Sequence, residues 1–372
     1  MQNPLQQKFN DDLLIHKEDQ HVALELYPTV LHVLDHPELR RCFIDYDEKA
    51  NHAKRRSRKA GSIAIILATL ALFCASGEIA FYSQPAALLF LALAGVICGI
   101  SSVILGSLGV LYGRTKSEWL HRRLMTERLR QFHFQTFVSL LPQITASLHD
   151  GHAKTQFASV RRQRFDAFRA RMEGHLEAAL TRILADEEPE PWFEKPSPGP
   201  PIAKDDPALW SLFEAYRELR IEHQMSYADY KTRDDNKIFT SAARRQASVL
   251  ESFGFACFVL LLSIDIAVGA AILIGWIAST SPTRALMPTL NAATICIAIA
   301  ALAARALEQG LQPEREIERY QQYRSDCKAI LERFDSAPSQ AEKVRIMMEM
   351  ERLSFDEMRN FLITNDRARF VM

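Results

Sequence analysis

Two carboxylates stand where carboxylates are costly. Glu78 and Asp265 each lie inside an apolar run long enough to cross a bilayer, and a charged side chain left in hydrocarbon costs about 2 to 3 kcal/mol. Such groups serve water-filled paths or interhelical hydrogen bonds. Asp265 lies near the middle of its run and fits that use, whereas Glu78, five residues before the turn at Ser83, could equally snorkel to the outer headgroups. A second pattern is Gly95, Gly99, Ser102, Gly106, Gly109 and Gly113, at steps of 4, 3, 4, 3 and 4. On a helix these small residues form one stripe, in the register of a left-handed helix pair. Helices in lipid associate through such stripes because no side chain holds the backbones apart. The stripe therefore serves packing against the preceding span, or a subunit interface or pore-side contact. A third pattern, Trp119, Arg123, Glu127, Arg130 and Phe134, shares one helix face. Arg123 and Glu127 can form an i,i+4 ion pair worth a few tenths of a kcal/mol at a solvated surface. The face suits packing inside a helical bundle; alternatively, the guanidinium groups of Arg123 and Arg130 suit the phosphate oxygens of a signal.

Other chemistry finds little to stand on. His32 and His36 are one turn apart with Asp35 beside them, but two imidazoles do not make a metal site. No Ser-His-Asp order, phosphate-binding glycine loop, HExxH helix or deaminase signature occurs, so neither an enzyme nor a cofactor is expected. Of the six cysteines, Cys74, Cys98, Cys257 and Cys296 lie in apolar runs and Cys42 and Cys327 in charged helical segments. Their spacing suggests neither a disulfide framework nor zinc. With 45 basic and 45 acidic residues the formal net charge is zero, which gives no bias toward nucleic acid.

The elements that must position these residues fall into two solvents. Residues 61–83, 85–113, 253–280 and 285–304 are apolar, and about 20 such residues span the hydrocarbon layer. Helices apolar on every face over that length are rare in water-soluble domains of this size. The first 60 residues are polar and end in charges, so no signal peptide is expected. Lys54, Arg55, Arg56, Arg58 and Lys59 precede the first span; Arg114, Lys116, Arg122 and Arg123 follow the second. Arg244, Arg245 and Arg305 flank the other pair. The positive-inside tendency puts all of these, and both termini, in the cytoplasm of a multi-pass inner-membrane protein. The expected fold is an all-α membrane protein: four transmembrane helices as two hairpins, extended by long cytoplasmic helices in a bundle.

Along the chain, residues 1–37 read as short helical pieces ended by Pro28 and Pro37. Helix can run from Glu38 into the first span, and from the second span on to Leu141, giving one helix of about 80 Å. Residues 152–185 carry apolar residues at three- to five-residue steps and read as another amphipathic helix. Six prolines between 187 and 206 mark a linker. A proline-free helical run from Pro207 to Ser281, a return span and two charged helices, 314–334 and 339–368, complete the plan. Residues 38–186 and 207–372 thus share the order helix, hairpin, helix, as a diverged duplication would.

At Trp119-x3-Arg123-x3-Glu127-x2-Arg130-x3-Phe134, following a pair of apolar helices, the chain resembles the SLATT family of bacterial two-transmembrane effector modules. Arg220-x3-Gln224-x2-Tyr227 ahead of the second pair, and Leu353-x3-Glu357-x3-Phe361 in the last helix, look like a tandem second module. The likeness runs over residues 38–372 and rests on the order of its motifs around the two pairs of apolar helices. It implies a non-enzymatic, homo-oligomeric membrane effector of an antiphage or conflict system, pore-forming or otherwise disruptive to the bilayer. It also makes Arg220, Gln224 and Tyr227 candidates for signal transfer or packing. Many relatives carry a fused nucleotide-binding sensor; here no phosphate loop precedes the first span. The signal would come from a separate sensor protein or from a nucleotide second messenger acting on the cytoplasmic helices. A constitutive helical scaffold that recruits a soluble partner, and a gated ion channel, are the competing roles.

Overall fold

The computed structural model describes residues 10–110, 114–185, 187, 206–233, 243–278 and 283–368. The described residues form helices and turns, with no strand among them. After a 3-10 turn at Asp11–Leu13 come α1 (Lys17–Leu26), α2 (Leu31–Leu34), α3 (Pro37–Ala80), α4 (Pro85–Val110), α5 (Arg114–Ser139), α6 (Leu141–His149) and α7 (Gly151–Leu184). The second half has a 3-10 turn at Pro207–Leu209, α8 (Trp210–Tyr216), a π-helical stretch Arg217–Glu222, α9 (His223–Thr232), α10 (Ala243–Ala278), α11 (Thr283–Leu311), α12 (Pro313–Ser336) and α13 (Gln340–Arg367).

Several boundaries follow from local chemistry. Pro37, Pro85 and Pro313 each open a helix, where the missing N–H costs nothing. Asp150 caps α7 by accepting from the backbone N–H groups of His152 and Ala153, which holds its carboxyl below the usual range. Between α11 and α12, Gln312 takes a left-handed φ of 49°, so the two helices are separate elements. The helix expected to continue to Leu141 ends instead at Ser139. Leu140 forms a turn and Pro142 sits in the first turn of α6, where a proline ring cannot continue the preceding helix. Residues 111–113, on the expected path from span to α5, lie outside the described residues, as does 188–205 of the proline-rich linker. The expected helical run from Pro207 is divided into 3-10, α, π and α segments as far as Thr232.

Chain contacts divide the molecule into two units. One comprises 1–52, 117–233 and 318–367; the other comprises 53–116, 234–317 and 368–372. Each unit draws on both halves of the sequence.

Among the described residues four helices are long and apolar enough to cross a membrane, and all four run through the second unit. Gly77 of α3 faces Leu91 of α4, Gly95 faces Ala71 and Cys74, and Ser102 donates to the Ala64 carbonyl at 2.8 Å. That register is antiparallel. Helices α10 and α11 pack on each other as well, and Ile65 of α3 meets Ala303 and Ala306 of α11. Phe90 (71%), Val103 (66%) and Phe255 (68%) stand open on the outer faces. So much contiguous apolar surface is not compatible with water; the chain is a membrane-associated, all-α protein.

The first unit has an ordinary interior. Phe43, Leu129, Phe132, Phe137, Phe165, Phe168, Phe213, Tyr216, Phe334 and Met347 belong to one buried cluster. The start of α3 and helices α5, α7, α8, α12 and α13 all supply it.

A buried ionic cluster as the candidate functional site

The α5 face predicted from spacing turns inward. Trp119 meets Phe361 of α13 edge-on with ring centroids 6.0 Å apart. One turn on, Arg123 pairs with Glu127 and lies 3.4 Å from Asp47 of α3. Glu127 also receives Arg130 at 3.3 Å, and Arg130 Nε reaches Asp12 at 2.9 Å. Phe134 ends the row beneath the Arg220 guanidinium, 4.6 Å from its ring centre. These four-residue and three-residue steps keep all five side chains on one side of a helix, and that side is the bundle interior.

Arg220 arrives by a different device. It sits within the π-helical stretch Arg217–Glu222, where the extra residue per turn re-aims a side chain; such stretches recur at functional positions. Its Nε and Nη2 donate to the two carboxylate oxygens of Glu351 in α13, each at 2.8 Å. This fork-to-fork geometry is the strongest form of the contact. Tyr216 Oη donates to the same carboxylate at 2.9 Å. Further along, Tyr323 Oη donates to Gln224 Oε1 at 3.4 Å and pairs with Ser354 at 3.1 Å. The rings of Tyr227 and Tyr320 meet edge-on at 5.7 Å, and Arg319 pairs with Glu357. Thus Trp119, Arg123, Glu127, Arg130, Phe134, Arg220, Gln224, Tyr227, Glu357 and Phe361 all lie in one cluster although they come from three separated segments.

Electrostatics close the cluster upon itself. Burial alone would lower the pKa of Arg123 and Arg220, but Glu127 and Glu351 outweigh it and hold both guanidinium groups above their ordinary value. Burial would raise Glu127, yet Arg123 and Arg130 beside it keep its carboxyl low. Glu357 differs: burial prevails over Arg319 and its carboxyl is pushed up. Burial raises the hydroxyls of Tyr216 and Tyr323 well above their usual range. Arg123, Arg130, Arg220 and Arg319 each have a carboxylate. The cavity that Arg123, Arg130 and Arg319 line holds about 20 Å³, space for about one water. A phosphate reaching Arg123 or Arg130 would have to displace Glu127, Asp12 or Asp47.

A second buried group joins the His32 and His36 pair to His133 and Arg161, neither of which was singled out from spacing. His36 packs against Phe165 at 5.1 Å and lies 6.4 Å from the His133 ring. Arg161 donates to the carbonyls of His32 and Val33. Its charge sits on the apolar row Phe157, Val160, Phe165 of α7, and a charged residue on an apolar helical row was the available signal. Glu351, between Met350 and Phe355 of α13, carried the same signal. No three potential ligands gather into a metal site among the described residues; His32 Nε2 instead meets the Ser147 hydroxyl at 2.9 Å.

The membrane-depth candidates separate. Glu78 is half-buried, while Asp265 is exposed beside Leu262 (51%) and Ile266 (63%). Gly95 and Gly99 face α3, where a Cβ on Gly95 would lie 3.2 Å from that of Cys74, and Gly106 has nothing within 4 Å of its own. Gly109 belongs to α4 with its surroundings undescribed, and Gly113 lies outside the described residues. In comparisons with known proteins, no family model matches the chain, and no curated protein or solved structure matches it.

Proposed function

We propose that the chain is a non-enzymatic membrane effector of a bacterial antiphage or conflict system, anchored by two transmembrane hairpins in the inner membrane with both termini in the cytoplasm. The observation that carries this reading is the convergence of the residues on which the family resemblance rests. Arg123, Glu127 and Arg130, then Arg220 and Gln224, then Glu357 and Phe361 line or adjoin one buried ionic cluster. Breaking one partner of a buried pair costs about 3 to 5 kcal/mol, so such a cluster favours two discrete arrangements over a continuum. A sensor protein or nucleotide signal that binds the opened arrangement better than the closed one would shift the population, and with an enclosed space of about 20 Å³ the closed one has no room for a nucleotide.

Asp265 supports a homo-oligomer. It is exposed on the single chain at mid-span, and a carboxylate facing lipid there is costly; a neighbouring copy or a water-filled path between copies would relieve it. The test is to express the chain with its activating signal and record membrane potential. Depolarisation before loss of growth is expected; growth arrest at unchanged potential would sink permeabilisation.

The scaffold reading is favoured by one observation, that Gly95 and Gly99 are used for packing within the chain. Gly106 distinguishes the two, since its surroundings are open. Gly106→Leu should leave a scaffold working and impair an effector whose copies approach closely there. A gated channel would instead change ion selectivity with Asp265→Asn.

A further inference from the structure

In the membrane unit a cleft of about 590 Å³ is lined by Glu251, Ser252, Gly254, Phe255 and Phe258 of α10 and by Arg305 of α11. Its depth can be read from the chain: Glu251 and Ser252 immediately precede the third apolar run, and Arg305 immediately follows the fourth. The polar residues therefore sit at headgroup level and the phenylalanines in the first turns of hydrocarbon. Phe255 (68%) and Phe258 (62%) are exposed, and three-residue spacing puts them on one face. A Cβ at Gly254 would meet nothing within 4 Å, so the glycine leaves the cleft open between the charged mouth and the aromatic walls.

The mouth carries one charge of each sign. Arg305 donates to Glu308 at 2.7 Å through Nη1 alone and keeps 72% of its side chain exposed. A guanidinium has five N–H donors in a planar fork suited to phosphate oxygens. Among the described residues neither the Glu251 carboxylate nor the Ser252 hydroxyl has a hydrogen-bond or ion-pair partner. A purely anionic headgroup would be met by Glu251 as well as by Arg305, and a quaternary ammonium could not donate a hydrogen bond to a carboxylate. A phosphate and a primary ammonium on one headgroup match both charges.

We propose that this cleft binds an aminophospholipid of the phosphatidylethanolamine type, its phosphate on Arg305 and Ser252, its ammonium on Glu251, and an acyl chain along Phe255 and Phe258. The proposal rests on the membrane assignment and is independent of the effector role. Native mass spectrometry of the full-length chain from detergent, with phosphatidylethanolamine, phosphatidylcholine or phosphatidylglycerol added at equal concentration, tests it. The expected result is preferential retention of phosphatidylethanolamine by roughly tenfold, the scale of one charge-assisted contact. Glu251→Gln should erase the preference over phosphatidylcholine, and Arg305→Gln should lower retention of all three. Both sites are exposed, and an unchanged helical circular-dichroism spectrum certifies that the variants fold. Equal retention of the three lipids, or a preference that survives Glu251→Gln, would overturn the assignment. So would cross-linking of a Phe255→Cys variant to a second copy in place of lipid retention.

Discussion

Arg220 and Glu351 show how burial changes the weight of an ion pair. On a solvated surface the same contact contributes under about 1 kcal/mol; here the side chains are 2% and 0% exposed, and each depends on the other for compensation. Arg220→Met should destabilise the first unit by about 3 to 5 kcal/mol, whereas adding Glu351→Leu should recover most of that loss. Denaturant unfolding of the full chain in detergent, followed by near-ultraviolet circular dichroism, measures both. The histidines predict a pH dependence. Burial first, then neighbouring charge, holds His32 at about 4, His133 at about 3 and His36 at about 2. For His32 the charges are Lys154 and Arg161; for His36, Arg161, His133 and Arg40; for His133, Arg161 and Arg220. All three pKa values are depressed, so the unfolded chain takes up protons first as pH falls below about 6.5. Their contribution is complete above that pH and is lost progressively as pH falls toward the folded values. The unfolding midpoint should drop between pH 7 and pH 4, less steeply in His36→Gln; a midpoint flat across that range would refute the assignment. The inward row of α5 was legible because three- and four-residue steps define a face. Its carboxylate partners Asp12 and Asp47 were not, since nothing local links them to Arg130 and Arg123, 118 and 76 positions away in the chain.

At the level of elements, the glycine stripe of α4 divides by what it touches. Gly95 lies where an added Cβ would approach Cys74 to 3.2 Å; Gly95→Leu should cost about 1 to 3 kcal/mol through overpacking. Gly106→Leu should change the stability of the detergent-solubilised chain by less than about 0.5 kcal/mol, as substitutions at open positions do. Thermal unfolding of the two variants side by side gives the comparison, and equal losses would contradict this packing. Proline and charge marked most helix starts in the sequence. The π-helical stretch at Arg217–Glu222 was not marked; it carries Arg220, whose partner Glu351 is distant in the chain, and no local residue preference encodes that pairing.

For the whole molecule, the exposed apolar faces of α4 and α10 predict that the chain requires detergent or lipid. A monodisperse preparation in plain buffer would contradict the membrane assignment. The sequence by itself determined the four apolar runs, the helical class and the candidate face of α5, because hydropathy over about 20 residues and a 3.6-residue period are local properties. Only the tertiary structure decided that residues 117–233 and 318–367 share one unit, that three separated motifs meet in a closed ionic cluster, and that Gly95 packs inward while Gly106 does not. Those outcomes depend on which buried charges find partners and which helix faces meet, and a charge must be matched in space irrespective of its distance along the chain.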